Sequence, residues 1–197
     1  GTPSFTFTAT NDNIYETSEG FELSISNPEN ATLGTSSATA VINDEDDNNP
    51  DTTDVKTDGD KPVVSIEAID NLAVEGDVNN STVAFKVSQS NESNSDTKVV
   101  VKLDLNEVEA ADVNATVKYT DVNGNPATTT IAQLQAGLEI TIPANSTYAP
   151  TFTITAEDDS IYEVSESLKM SVELATGETD ATLGTSSATA VINDEDD

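Results

Sequence analysis

The stretch ATLGTSSATAVINDEDD occurs twice without a change, at Ala31–Asp47 and at Ala181–Asp197. Each copy alternates polar and apolar residues, as a half-buried β-strand does, and then ends in a run of acids. The similarity continues upstream, where PSFTFTATNDNIYETSEGFELSIS at Pro3–Ser26 parallels PTFTITAEDDSIYEVSESLKMSVE at Pro150–Glu173, at an offset of 147 residues. The offset becomes 150 after a three-residue insertion near ATGETD. The chain therefore holds one whole repeat preceded by the C-terminal part of another.

This repeat divides the chain into three parts. Residues 1–47 are a partial repeat that carries only the C-terminal strands, residues 48–61 are an acidic linker, and residues 62–197 are the complete repeat. The linker is polar and has no apolar periodicity. A unit of ~135 residues can bury about two thirds of the surface of its unfolded chain, so we expect the complete repeat to fold alone.

The complete repeat is rich in short segments that alternate at period 2 and contain many Val, Ile, Thr and Phe residues. Such segments, punctuated by turn residues, predict strands of an antiparallel β-sandwich. Ile131–Gly137 has mild helical character and is expected to form about one turn. The predicted strands are Pro62–Ile69, Ser81–Ser88, Thr97–Leu105, Asn114–Asp121, Leu138–Ala144, Thr151–Glu157, Ser167–Leu174 and Ser186–Asn193.

The partial repeat offers three strands at most, Ser4–Thr10, Phe21–Ser26 and Ser36–Asn43. Three strands with one apolar face cannot close a sandwich. We therefore expect residues 1–47 to be poorly packed in isolation, to pair with the open edge of another molecule, or to borrow strands from a partner chain and so form a dimer.

Composition excludes several functions. The 37 acids against 7 lysines give a formal net charge of -30, and Arg, His, Cys and Trp are all missing. Without His or Cys there is no imidazole base, no thiol nucleophile and no zinc site of the usual kind, so we predict that the protein is not an enzyme. So acidic a chain should repel nucleic acid and anionic membranes, and no apolar run approaches the ~20 residues of a membrane span. Cations are its expected small partners.

Acidic residues recur in two clusters, one after the strand Thr151–Glu157 and one at the end of the last strand, and Glu75 lies in a loop that can reach the same pole. Crowded carboxylates repel one another unless a cation lies between them, and Ca²⁺ takes six to eight such oxygen ligands. The alternative is that the acids are solvated loop charges; their recurrence in both copies favours calcium. The two clusters contain Asp158, Asp159, Glu163 and Glu166, and Asp194, Glu195, Asp196 and Asp197.

DDSIYEVSES followed by LGTSSATAVINDED resembles the Calx-beta motif, in which a strand, an acidic motif and two further strands lead to INDED. That motif belongs to an immunoglobulin-like β-sandwich of sodium–calcium exchangers, some integrin chains and large bacterial surface adhesins. The resemblance implies Ca²⁺ as the cofactor. Glu195 stands where an Asp is usual, and a family acid in the loop before Leu138–Ala144 has no counterpart, because IAQLQAG offers only glutamines. The ligands that the resemblance implies are Glu75, Asp158, Asp159, Glu163, Glu166, Asp194, Glu195 and Asp196.

The partial copy predicts a weaker site. Asn11 stands at the position of Asp158, and Glu75 has no counterpart in residues 1–47. The acids that remain are Asp12, Glu16, Glu19, Asp44 and Asp46.

The resemblance implies an extracellular spacer: tandem sandwiches of an RTX-type bacterial surface adhesin, with neighbouring repeats as partners and calcium stiffening the domain pole and the joint. An alternative is a module that itself binds glycan or peptide, for which Ser88–Thr97 and Leu105–Asn114 are the candidate loops. Both are expected to be ordinary exposed connections. A third alternative is a calcium sensor, but no transmembrane segment or regulatory loop in this sequence supports it.

Overall fold

The computed structural model describes residues 2–44, 60–159 and 161–194. Nearly all regular structure in these residues is β, and the one short helix, α1, spans Ile131–Ala136. The strands are β1 Glu19–Ser24, β2 Ser37–Ile42, β3 Val63–Asp70, β4 Leu72–Val74, β5 Thr82–Gln89, β6 Thr97–Asp104, β7 Thr116–Thr120, β8 Pro126–Thr130, β9 Leu138–Ile142, β10 Thr151–Thr155, β11 Glu166–Leu174, β12 Thr182–Leu183 and β13 Ser187–Asn193.

The complete repeat is a sandwich of two sheets. One has the strand order β12-β3-β5-β10-β7-β8 and the other β4-β13-β11-β6-β9. Most neighbours are antiparallel, but β4 runs parallel to β13 and β12 runs parallel to β3. These two short strands attach the start and the end of the repeat to each other, and the predicted β-sandwich fold is confirmed.

Alternation along each strand builds the core between the sheets. In β6, Val99, Val101 and Leu103 are buried, whereas Lys98 and Lys102 point outward. Phe85 and Phe152 lie on neighbouring strands at the centre of the core and have no exposed surface. The main hydrophobic cluster consists entirely of residues between 64 and 192, so the complete repeat supplies its own core.

All eight predicted strands are present, and so is the helical turn. Thr130 caps α1, because its side chain accepts from the Gln133 N–H while the Gln133 side chain accepts from the Thr130 N–H. Sequence reasoning missed β4, β8 and β12. Two of them have only two or three residues, too few to display a period, and β8 is the threonine-rich edge PATTT.

The partial repeat forms a two-stranded antiparallel sheet, β1 with β2. The prediction of a strand at Ser4–Thr10 was wrong, because those residues are assigned to no strand. The matching strand of the complete repeat, β10, lies between β5 and β7, and residues 1–47 contain no counterpart of either. Phe5 and Phe7 are accordingly 70% and 60% exposed, although the Phe7 ring meets Phe21 edge to face at 5.2 Å.

Within the described residues no helix is long and apolar enough to cross a membrane.

Candidate metal centre

One pole of the sandwich gathers the loop after β4 and the end of β13. The parallel pairing of these two strands carries Glu75 to the end of β13, where its N–H donates to the carbonyl oxygen of Asn193 at 2.9 Å. Asp194 is the next residue in the chain. Backbone pairing therefore fixes Glu75 beside Asp194, although they are far apart in sequence.

The loop between β10 and β11 closes over the same pole. The N–H of Glu163 donates to Asp194 Oδ2 at 2.9 Å, and Asp159 Oδ1 accepts from the N–H of Ile161 at 2.8 Å. Glu166 begins β11 opposite Ile192 of β13. The loop is thus tied to the end of the last strand by a carboxylate.

Glu75 is the most strongly perturbed acid at this pole. Only 4% of its surface is exposed. Burial, followed by the negative charges of Asp112, Glu163, Asp194 and Asp159, raises the pKa of Glu75 to about 7 from an ordinary value of 4.5. A large fraction of this side chain is therefore protonated at neutral pH, unlike an ordinary glutamate, and a bound cation would favour the ionised form.

Burial and nearby negative charges also raise the pKa of two further glutamates at this pole. Desolvation, then the charge of Asp112, raises the pKa of Glu163 and of Glu166 above the ordinary value. Asp159 and Asp194 add to the effect on Glu163, and Glu163 adds to that on Glu166. The acids of separate loops therefore form one electrostatic cluster, which we call the acidic pole: Glu75, Asp112, Asp159, Glu163, Glu166 and Asp194.

Sequence reasoning missed Asp112. The expectation that Leu105–Asn114 is an ordinary exposed connection was wrong, because Val108, Asp112 and Val113 are 4%, 2% and 3% exposed. The loop runs along the end of β10: Asp112 accepts at its carbonyl from the N–H of Glu157 at 2.8 Å, and its Oδ2 accepts from the N–H of Glu109 at 2.5 Å. The loop before β7 thus supplies an acid to this pole, whereas the segment before β9 offers only glutamines. The available signal was an acid flanked by apolar residues in AADVN.

The structure does not join the remaining predicted ligands to the acidic pole. Asp158 is exposed and is not among the charges that shift the pKa of Glu75, Glu163 or Glu166. Glu195 and Asp196 lie outside the described residues. Within the described ranges, no three acidic side chains stand close enough together to hold a metal ion in their present positions. The acidic pole has the chemistry of a hard-cation site, but its side chains would have to rotate to bind one.

The partial copy repeats the backbone of this arrangement. The N–H of Glu16 donates to Asp44 Oδ2 at 3.0 Å, and that of Ile14 donates to Asp12 Oδ1 at 2.9 Å, as in the complete repeat. Asp12, Glu16, Glu19 and Asp44 line one cleft. Desolvation and the charges of the other three raise the pKa of Glu16. Asp46 lies outside the described residues.

The fold and its pole define a two-sheet β-sandwich with acids gathered where its last strand ends. The family model of the Calx-beta domain matches residues 3–46 and 76–196, which is most of the chain. The chain therefore belongs to the Calx-beta domain family.

The solved structures that match this chain include two from Calx. The apo-form Calx CBD1 domain is 14% identical, with 68% of this chain and 98% of that chain covered and a TM-score of 0.43. CBD12 from CALX1.2 is 15% identical, with 67% and 46% covered and a TM-score of 0.43. A two-domain protein of unknown function from Bacteroides fragilis is 10% identical, with 68% and 46% covered and a TM-score of 0.42. No curated protein matches the chain.

Proposed function

We propose that this chain is a calcium-binding structural extender repeat of a bacterial cell-surface adhesin. Ca²⁺ would rigidify the acidic pole and, through it, the joint to the next repeat. The observation that carries the proposal is the carboxylate of Glu75, whose pKa is raised to about 7 by burial and then by the charges of four other acids. The Calx-beta domain is a non-catalytic family, and we propose no catalytic role for this member.

The donor set favours calcium among the cations. The acidic pole offers only carboxylate oxygens, which are the ligands that Ca²⁺ takes in large number from flexible loops, whereas Mg²⁺ keeps more of its water. Glu75 and Asp112 are buried, so an ion there would be partly shielded from solvent. Asp158, Glu195 and Asp196 remain predicted ligands that extend this set.

The spacer role is supported by the repetition itself. In both copies a backbone N–H of the acidic loop donates to the aspartate that follows the last strand, Glu16 to Asp44 and Glu163 to Asp194. A second carboxylate hydrogen bond inside the loop also recurs. A unit that recurs with so little change is typical of an array in which each repeat contacts its neighbours. We place the array outside the cell, where millimolar calcium would fill sites with a Kd of ~10⁻⁴–10⁻³ M.

The alternative function, a module that itself binds glycan or peptide, is less well supported, because both of its candidate loops make other contacts. Leu105–Asn114 delivers Asp112 to the acidic pole, and Ser88–Thr97 contacts the partial repeat.

The test is thermal unfolding of the chain with Ca²⁺, with Mg²⁺ and in chelator, together with isothermal titration. At 100 times its Kd, calcium should stabilise the fold by about 2.7 kcal/mol. Asp194→Asn should lose much of this gain, because it removes a charge and weakens the acceptor that holds Glu163.

The matched control is Asp121→Asn. Asp121 also accepts backbone N–H groups, from Asn123 and Asn125, but it lies in the turn between β7 and β8 at the opposite pole. This variant should keep the full calcium gain. A melting temperature of the unsubstituted chain that calcium leaves unmoved would refute the calcium site, and a gain with magnesium alone would change the metal.

A further inference from the structure

The partial repeat is docked on the complete one by a short segment of its acidic loop. Tyr15 forms a parallel bridge with Ser93: its N–H donates to the carbonyl of Glu92 at 3.0 Å, and its carbonyl accepts from the N–H of Asn94 at 2.8 Å. The N–H of Thr17 adds a bond to Asn94 Oδ1 at 3.4 Å. Tyr15 is only 4% exposed and is the one described residue of the partial repeat among the buried apolar residues.

The surface that receives Tyr15 is a well-anchored loop of the complete repeat. Ser93 is 1% exposed, and its carbonyl accepts from the N–H of Asn145 at 2.7 Å. Its hydroxyl accepts from the N–H of Ser95 at 3.1 Å. The loop joins β5 to β6, so it lies at the pole opposite the acidic pole, beside the first strand of the repeat. It is a preformed platform at the N-terminal end of the repeat.

In the described residues, the matching segment of the complete repeat is much more exposed. Ile161, Tyr162 and Val164, which match Ile14, Tyr15 and Thr17, are 59%, 66% and 68% exposed. The matching carboxylate hydrogen bonds give the two loops the same local backbone. The first loop differs in that Glu92–Asn94 of the complete repeat lies against it.

We propose that Ile161–Val164 is the docking surface for the Glu92–Asn94 loop of a following copy of this repeat. Tyr162 takes the place of Tyr15: its N–H and carbonyl bond to Glu92 and Asn94 of that copy, and its ring becomes buried. Such a contact is too small to join separate molecules, but the linker makes it intramolecular and so effective. The proposal relies on the proposed spacer role for the following repeat, and it does not require calcium.

The test is chemical cross-linking between introduced cysteines, which are unique because the chain has none of its own. In the present chain, Thr17→Cys with Asn94→Cys should react efficiently with a short bifunctional thiol reagent. A chain that continues after Asp197 with a second copy of residues 48–197 then carries Val164→Cys and, in the added copy, Asn94→Cys. This pair should cross-link at a rate similar to that of the first.

The matched control in the extended chain pairs Val164→Cys with Asn123→Cys of the added copy. Asn123 lies in the turn between β7 and β8, at the same pole as Ser93 but on another strand pair. If the two repeats were joined only by a linker, without a fixed contact, Asn94 and Asn123 of the added copy would approach Val164 equally often. With docking, the Asn94 pair should react about tenfold faster than the Asn123 pair, because the contact raises the effective concentration of one position only. Tyr162→Ala should remove that excess.

Equal rates for the two pairs would overturn the proposal, as would a failure of the Thr17–Asn94 pair in the present chain. Repeating the reaction in chelator separates this result from the proposed function. A preserved excess together with a melting temperature that calcium does not change would leave the docking intact and refute the calcium site.

Discussion

Replacing Glu75 by Gln should make the metal-free protein more stable at alkaline pH. Glu75 is buried, and Asp112, Glu163, Asp194 and Asp159 surround it with negative charge. The amide of Gln has nearly the same shape but never ionises. Glu75→Gln therefore removes the cost of a buried charge and leaves the packing of the pole largely unchanged.

The magnitude follows from the pKa. Glu75 has a pKa of about 7 in the folded protein against an ordinary 4.5, so the folded state binds its proton more tightly than the unfolded chain does. Stability from this group is thus fully present below pH 4.5 and is lost as the pH rises through 7. At about 1.4 kcal/mol per pH unit, the loss is about 3 kcal/mol at pH 8. For a chain of this size, that corresponds to about 6–12 °C in Tm.

The assay is thermal unfolding of both proteins in metal-free buffer between pH 4.5 and pH 8.5. The two melting curves should nearly coincide at pH 4.5 and separate as the pH rises, with Glu75→Gln the more stable. Glu139→Gln, which changes an exposed glutamate of β9, should follow the unsubstituted chain at every pH. If the difference between Glu75→Gln and the unsubstituted chain does not grow with pH, the electrostatic account of the pole is wrong.

Two further substitutions test the pole and the packing of the repeat. Asp112→Asn removes the charge that acts most strongly on Glu75. It should therefore raise the Tm in metal-free buffer at pH 8 and reduce the rise in Tm that calcium causes. An undiminished calcium-induced rise would show that Asp112 is not part of the site. Gly184→Ala would place a methyl group 2.5 Å from Ser65 Oγ and should cost about 1–3 kcal/mol in urea unfolding. Gly34→Ala, in the identical sequence of the partial copy, meets nothing within 4 Å and should be nearly neutral, so equal losses at both sites would contradict this account.

The core of the fold could be predicted from sequence because the signal is local. Period-2 alternation of Val, Ile and Thr shows which side chains face inward, whatever strand lies alongside, and it located eight of the eleven strands of the complete repeat. The acids that follow β10 and β13 were found in the same way, since a residue just beyond a strand must lie at a pole of the sandwich. This reasoning from the sequence predicts that Asp159, Glu163 and Asp194 lie at one pole of the sandwich.

Contacts between distant segments decided the rest. Asp112 lies at the acidic pole because its loop is hydrogen-bonded along the end of β10. The three residues of β4 form a strand because they pair with the edge of β13, far away in the sequence. The same dependence explains why Ser4–Thr10 forms no strand although its sequence favours one. A strand needs neighbours for its backbone N–H and C=O groups, and those neighbours are absent from the partial repeat.

The two tyrosines of the repeated motif show this division most clearly. Tyr15 and Tyr162 stand in nearly the same sequence, and the sequence determines the loop that holds them, including its carboxylate hydrogen bonds. Tyr15 is buried because Glu92–Asn94 of the complete repeat lies against it, whereas Tyr162 is exposed. Local sequence specifies the strand and the loop, whereas only the tertiary structure brings Ser93 beside Tyr15.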